Sequence, residues 1–296
     1  MPENRSQPSL ASSRGLRYWW RLLVDRLATV ITVLCAILVL TPLVAIFAYL
    51  VYRGVGALNW AFLTQTPKPV GELGGGMANA MVGSAIILGI ASLIGVPLGI
   101  GSGIFLAEHG NHRFAQLVRF TADVLNGVPS IVTGIAVYSL VVLQQKHFSG
   151  FAGGVALGIM MVPTITRTTE EMLLMVPNIV REASLGLGIP RWRTTLSVVL
   201  RTATSGVITG IMLAFARVAG ETAPLLFTAF GNQFWSLKLN QPMAALPLQI
   251  YVYAISPFDD WHRQAWAGAL VLILLIVGAV AAVRVATSRG MVRGAA

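Results

Sequence analysis

The stretch LATVITVLCAILVLTPLVAIFAYLV, residues 27–51, is twenty-five residues long and carries no charged side chain. An α-helix needs about 20 apolar residues to cross the roughly 30 Å hydrocarbon core of a bilayer. The stretch therefore predicts a transmembrane helix, in which Pro42 introduces no more than a kink. It is longer than the apolar core of a cleavable signal peptide, so we expect it to stay in the mature protein.

Similar uncharged runs recur along the chain and predict an all-α integral membrane protein with six transmembrane helices. They cover residues 27–51, 73–107, 124–145, 148–166, 202–237 and 264–283, and only the fifth is interrupted by charges. Of all residues 55% are hydrophobic and 11% are charged. This composition leaves too little polar surface for a soluble domain of ordinary make-up.

The net charge of +10 bears on orientation rather than on nucleic-acid binding. With the amino terminus inside, fourteen of the twenty-one Lys and Arg residues fall on the cytoplasmic side and five on the outer side. Cytoplasmic loops of membrane proteins carry such an excess. We therefore expect both termini in the cytoplasm and no nucleic-acid partner. The predicted layout is a cytoplasmic or interfacial segment 1–26 with a short helix, a six-helix domain 27–286 and a cytoplasmic tail 287–296.

Two of the connecting segments are unusually long. Residues 231–262 are rich in aromatic side chains and predict a short helix that lies on or dips into the outer membrane interface. On the inner side, residues 177–201 form the central part of the segment LMVPNIVREASLGLGIPRWRTTLSVVLRTA. This inner loop is far longer than the other one. Pro177 opens a helix, Pro190 breaks it and an amphipathic helix follows. The segment predicts a helix–turn–helix that projects into the cytoplasm.

This inner loop carries a resemblance to a known family. Glu182, Ala183 and Ser184, then three residues and Gly188, resemble the E-A-A-x-x-x-G signature of ATP-binding-cassette importer permeases. Further along, Arg201 stands where that pattern has proline. The resemblance implies the importer permease fold and a coupling helix, including Glu182, Ala183 and Gly188, that docks on a cytoplasmic ATPase.

A more specific resemblance covers nearly the whole chain and points to the A-type permease subunits of bacterial phosphate importers. The similar stretches are LNGVPSIVTGIAVY (125–138), MMVPTITRTTEEMLLMVP (160–177), RVAGETAPLLFT (217–228), MAALPLQIYVYAIS (243–256) and AWAGALVLI (265–273). The resemblance implies an inner-membrane subunit that forms half of a phosphate pathway. Its implied partners are a C-type permease subunit, a dimeric ATP-binding subunit, an external phosphate-binding protein and membrane lipid. The sequence has no G-x-x-x-x-G-K-[ST] loop, so ATP–Mg would be bound by the partner and this chain would be no enzyme.

The charges inside the apolar runs are the candidate pathway residues. Arg217 and Glu221 lie four residues apart, and an arginine at the bilayer centre costs at least ~2.5 kcal/mol, so Arg217 must face protein or water. One interpretation is a closed ion pair that only joins helices. The other is an oxyanion site, because Arg167 is a second such cation and guanidinium groups match tetrahedral oxyanions. Glutamates nearby, Glu170 and Glu171 beside Arg167 and Glu221 beside Arg217, would keep phosphate from being held too tightly. The two arginines form either one pocket or two successive stations.

Three other functions stay open at this point. The chain could be a permease for a related oxyanion, a secondary anion transporter without an ATPase, or a structural assembly subunit. Inverted repeats would favour the secondary transporter, and no clear internal duplication is evident. A metal site is not predicted, because His109 and His112 flank turn residues with no third ligand nearby and Cys35 is the single cysteine.

Overall fold

The computed structural model describes residues 11–69, 72 and 74–293, with side chains described between Tyr18 and Thr287. The described residues contain thirteen α-helices and no β-strand. The helices are α1 (Ala11–Val55), α2 (Trp60–Thr64), α3 (Ala78–Glu108), α4 (Arg113–Gly127), α5 (Ser130–Val137), α6 (Leu143–Gln145), α7 (Gly150–Leu174), α8 (Asn178–Gly186), α9 (Arg191–Thr194), α10 (Leu200–Ala219), α11 (Ala223–Thr228), α12 (Leu246–Ala254) and α13 (Asp259–Arg293). Two π-helical turns, Tyr138–Val142 and Thr195–Val199, join α5 to α6 and α9 to α10.

The membrane-spanning helices agree with the prediction of six. Among the described residues, five stretches are long and apolar enough to cross a bilayer, or six when one broken pair counts as a span. The five are Tyr18–Val55, Ala78–Glu108, Gly150–Leu174, Arg191–Ala219 and Asp259–Thr287. The broken pair is Arg113–Gly127 with Ser130–Gln145, bent by 107°. The chain is therefore a multi-pass membrane protein.

The first helix, up to Tyr52, forms a unit of its own. Nearly all of its apolar side chains between Tyr18 and Tyr49 are exposed, which suits contact with lipid. The helix runs without a break from Ala11 to Val55, with Pro42 inside it. The separate short helix expected before residue 27 is therefore wrong, because no break divides it from the first span. Residues 1–10 of the predicted amino-terminal segment lie outside the described residues.

The core of the second unit, from Arg53 onward, is the contact between α3 and α7. These helices run parallel and approach closely where α3 has glycine. A Cβ on Gly99 would lie 2.6 Å from Cβ of Ile165, and one on Gly103 would lie 2.5 Å from Cβ of Thr169. Gly95, Gly99 and Gly103 are spaced four residues apart, and such a stripe of small residues lets another helix approach closely. This glycine stripe is the surface of α3 that packs on α7. On another face of α7, α10 packs antiparallel, with Gly210 against Thr168.

Two predicted helices are interrupted. The third was expected over residues 124–145, but α4 ends at Gly127 and α5 begins at Ser130. Pro129 causes this break, because proline has no N–H and disfavours helical geometry in the residue before it. The fifth was expected over residues 202–237, but α10 ends at Ala219 and the six-residue α11 is the only helix in the rest of that range. Gly220 caps α10, and Pro224 lies in the first turn of α11.

The aromatic segment contains the predicted short helix, which is α12. It has nine residues and is too short to span a bilayer. Leu246 and Tyr253 are buried, the backbone N–H of Leu246 donates to Oγ of Ser84 at 2.7 Å, and the Tyr253 ring stacks on Trp261 with centroids 4.4 Å apart. The helix therefore dips into the protein and packs against α3 and α13.

Candidate functional site: an ion ladder, an isolated arginine and an exposed helix

Four charged side chains connect α4 to α7, and we call them the α4–α7 ion ladder: Arg119, Asp123, Arg167 and Glu170. Arg119 donates from both Nε and Nη2 to Oε1 of Glu170, with Nε at 2.9 Å. Arg167 donates from Nη1 to the other carboxylate oxygen, Oε2, at 2.8 Å. Nε of Arg167 lies 2.9 Å from Oδ1 of Asp123. Glu170 is therefore held by two guanidinium groups from two different helices.

The ladder is electrically neutral, because its two cations face two carboxylates. Only 3% of the Glu170 side chain is exposed, against 30% for Arg119, 31% for Arg167 and 51% for Asp123. Burying an ionised carboxylate costs several kcal/mol unless opposite charge and hydrogen bonds offset it. Both offsets are present here, so Glu170 is the buried centre and the arginines reach from it toward the surface of the chain.

One further polar contact joins α4 to α7 next to the ion ladder. Thr164 Oγ1 donates to Oδ1 of Asn126 at 3.1 Å. Asn126 follows Asp123 by three residues and lies directly before the 107° bend that separates α4 from α5. The polar face of α4 thus ends where the chain turns.

Arg217 lies in the last turn of α10 and is exposed. It forms no ion pair with any of the described residues. The closed ion pair with Glu221, one of the two interpretations of their spacing, does not form. α10 ends at Ala219, and Glu221 lies in the break before α11, where its backbone N–H donates to the Val218 carbonyl at 3.1 Å. A helix that continues between two residues four apart would bring their side chains together.

The two predicted pathway arginines lie at different depths. Gly210 packs against Thr168, so Arg167 is level with that part of α10. Arg217 is seven residues further along α10, which at 1.5 Å per residue places it about 10 Å farther from α8. This offset favours two successive stations over one shared pocket. Glu171, next to Glu170, is exposed and takes no part in the ladder.

The predicted coupling segment is a helix–turn–helix, as expected. Pro177 precedes α8, and the turn to α9 uses Gly188 in the left-handed region at φ 79°. Two side chains of α8 contact neighbouring parts of the protein. Arg181 forms an ion pair with Glu108 at the end of α3 and donates to the Leu173 carbonyl at 2.9 Å. Ser184 is buried and its hydroxyl lies 2.9 Å from that of Thr194.

The outward face of the same segment is apolar and exposed. Glu182 and Ala183 are exposed, and so are the large side chains of Ile179, Leu187 and Trp192. Large apolar side chains exposed beside charged ones are typical of a protein-binding surface. α8 therefore presents its signature residues on a face that this chain leaves uncovered.

Sequence reasoning missed Arg119 and Asp123, which both lie just before the uncharged run that begins at residue 124. Their spacing of four residues would have been a signal, since it puts both on one face of a helix. The histidines have structural contacts: the rings of His109 and Phe105 stack at 5.2 Å, and His112 caps α4. Within the described ranges, no three metal-ligating side chains form a group that could hold a metal ion.

Family membership follows from comparison with known proteins. Residues 95–290 match the family model described as binding-protein-dependent transport system inner membrane component. The chain belongs to this family. The matched range covers the glycine stripe, the ion ladder, α8 and Arg217.

Curated relatives refine this assignment. The chain is 44% identical to phosphate transport system permease protein PstA of Yersinia pestis, over 92% of this chain and 93% of the relative. It is 45% identical to PstA of Haemophilus influenzae over 90% and 95%, and 36% identical to PstA of Mycobacterium leprae over 87% and 86%. Such similarity over almost the full length of both chains groups it with the PstA permeases.

A solved structure supports the fold. A chain of the MetNI methionine ABC transporter, in an inward-facing conformation, matches with a TM-score of 0.55 and 18% sequence identity. The match covers 71% of this chain and 93% of the other. The fold is thus that of an ABC importer permease.

Proposed function

We propose that this chain is a transmembrane permease subunit of an ATP-driven phosphate importer and forms half of the translocation pathway. The observation that carries the proposal is the identity of 44–45% with PstA proteins over at least 90% of the chain. The other half of the pathway would come from a C-type permease subunit, and phosphate would arrive on an external phosphate-binding protein.

Arg217 is proposed as the cation that phosphate meets within the pathway. Phosphate carries one to two negative charges at neutral pH, and an anion leaving water needs fixed opposite charge to offset its lost hydration. The guanidinium of Arg217 is exposed and unpaired among the described residues, so no carboxylate has to be displaced first. Glu221, half-buried four residues later, would limit how tightly the anion is held.

Arg167 would be a second station, about 10 Å from Arg217 along the helices. Here the anion meets an arginine that is already neutralised by Asp123 and Glu170. Successive stations of unequal strength suit transport, because a binding site must also let its substrate leave. Glu171 lies beside this station on the exposed face of α7.

Coupling to ATP hydrolysis is proposed for α8. The Glu182–Gly188 segment would dock on a dimeric ATP-binding subunit, which would bind ATP–Mg and do the hydrolysis, while this chain has no catalytic role. The exposed apolar side chains of the α8–α9 segment support this docking role. Both termini and α8 would then lie in the cytoplasm.

The test is uptake of labelled phosphate by cells that lack their own importers and carry this chain with its three proposed partners. ATP-dependent uptake that disappears when the chain is omitted is the expected result. Competition by excess arsenate but not by sulfate would support phosphate as the substrate. No uptake by a fully assembled complex would overturn the proposal, and transport that persists without the ATP-binding subunit would favour a secondary transporter.

A further inference from the structure

We infer that Arg119 is an additional anion-binding residue of the pathway, and that Glu170 is a resident counter-ion that the transported anion displaces from Arg119 and Arg167. The inference rests on the proposed function and extends it to a residue on α4. It assigns the α4–α7 ion ladder a role in substrate passage as well as in joining two helices.

The first argument is the convergence of two guanidinium groups on one small anion. Arg119 binds Oε1 of Glu170 and Arg167 binds Oε2, with Nε and Nη1 at 2.9 and 2.8 Å respectively. Guanidinium donors recognise phosphate oxygens with the same forked geometry that they use for carboxylates. The Glu170 carboxylate therefore occupies the place that a phosphate would take between the two arginines.

The second argument is that donors remain available. A guanidinium group has five N–H bonds, and among the described residues Nη1 of Arg119 and Nη2 of Arg167 have no hydrogen-bond acceptor. Both arginine side chains are about ten times more exposed than Glu170. An anion that approaches from the exposed side thus meets these free donors, beside the half-exposed Asp123 carboxylate, before it meets Glu170.

The third argument is the charge balance. The net charge of the four ladder side chains is zero while Glu170 is in place, so the ladder does not retain an anion electrostatically. When phosphate takes the two arginines, the displaced carboxylate stays nearby as a like charge that favours release. Glu170 would therefore exchange with the substrate and keep the occupied state short-lived.

Chemical modification tests the contact directly. The assembled complex is treated with phenylglyoxal, which reacts with arginine, and modification of each arginine is measured by peptide mass spectrometry with and without inorganic phosphate. We expect phosphate to slow modification of Arg119 and Arg167 at least threefold and to leave the exposed Arg113, six residues before Arg119 on the same helix, unchanged. In Glu170→Gln, protection should need about tenfold less phosphate, because a charged competitor for the two arginines is removed.

The outcomes separate this inference from the proposed function. Protection of Arg167 or Arg217 without protection of Arg119 would overturn the inference and leave phosphate transport standing. Arg119 that does not react at all would also count against it, because the side chain must open to the pathway. An assembled complex that takes up no phosphate would contradict the proposed function itself.

Uptake by a double variant tests a purely structural role. Arg119→Gln should lower phosphate uptake about tenfold or more, the scale of a lost charge-assisted hydrogen bond, while Arg113→Gln should not change it. If Arg119 only neutralises Glu170, then Arg119→Gln combined with Glu170→Gln should restore uptake to within twofold of the unaltered protein. The inference expects the double variant to stay defective at unchanged complex abundance, and restored uptake would refute it.

Discussion

The turn between α8 and α9 allows a prediction whose size follows from one backbone angle. Gly188 has φ 79°, and a Cβ added there would meet no atom within 4 Å. The destabilisation caused by Gly188→Ala is therefore conformational alone, and left-handed geometry costs a residue with a Cβ ~1–2 kcal/mol. The substitution should make local opening of this turn more frequent without disturbing any packing contact.

Gly186→Ala is the matched control. Gly186 is the last residue of α8, its φ is negative, and an added Cβ there also meets nothing within 4 Å. Alanine is favoured over glycine in a helix by up to ~1 kcal/mol. The two substitutions add the same methyl group two residues apart, and they should change local stability in opposite directions.

Hydrogen–deuterium exchange of the full-length chain in detergent micelles measures the effect. The amides of Leu187 and Gly188 donate to the carbonyls of Ala183 at 3.2 Å and Leu185 at 2.9 Å. Their exchange should become about 5–30-fold faster in Gly188→Ala, the factor that corresponds to 1–2 kcal/mol, and no faster in Gly186→Ala. Equal exchange in all three proteins, or the same acceleration in both variants, would refute the reasoning.

Three further predictions concern transport, packing and orientation. Arg217→Gln should abolish phosphate uptake in an assembled complex. Arg217→Lys should also impair uptake, because an ammonium group lacks the planar forked donors of a guanidinium group. Normal uptake by either variant would contradict the role of this residue. Gly99→Ala should lower the melting temperature, because overpacking destabilises a protein by about 1–3 kcal/mol. Gly101→Ala should not lower it, since no atom lies within 4 Å of the added Cβ. Equal melting temperatures of the two variants would contradict the prediction and show that α3 can shift to make room. In a variant without the native cysteine, an impermeant thiol reagent added to intact cells should label Phe234→Cys but not Leu187→Cys, both at exposed sites, and the reverse pattern would invert the proposed orientation.

The sequence by itself predicted the number of membrane spans and the helix–turn–helix between α7 and α10. Hydropathy is a property of consecutive residues, so an uncharged run such as 27–51 reports a span whatever packs around it. The turn after α8 was also readable, because Pro177, Gly188 and Pro190 act on their own and adjacent backbone angles. The four-residue spacing of glycines on α3 likewise favours a close contact with another helix, but it does not identify that helix.

Only the tertiary structure decided how the charges are paired. Arg119 and Glu170 are 51 positions apart and meet because α4 packs along α7, which no local pattern encodes. Arg217 and Glu221 are only four positions apart, and they do not pair because α10 ends between them. Coulomb energy depends on distance in space and on local dielectric, not on separation along the chain. The membrane spans and the candidate charged residues can therefore be predicted from the sequence. The partner of each buried charge cannot, because it depends on which helices are in contact.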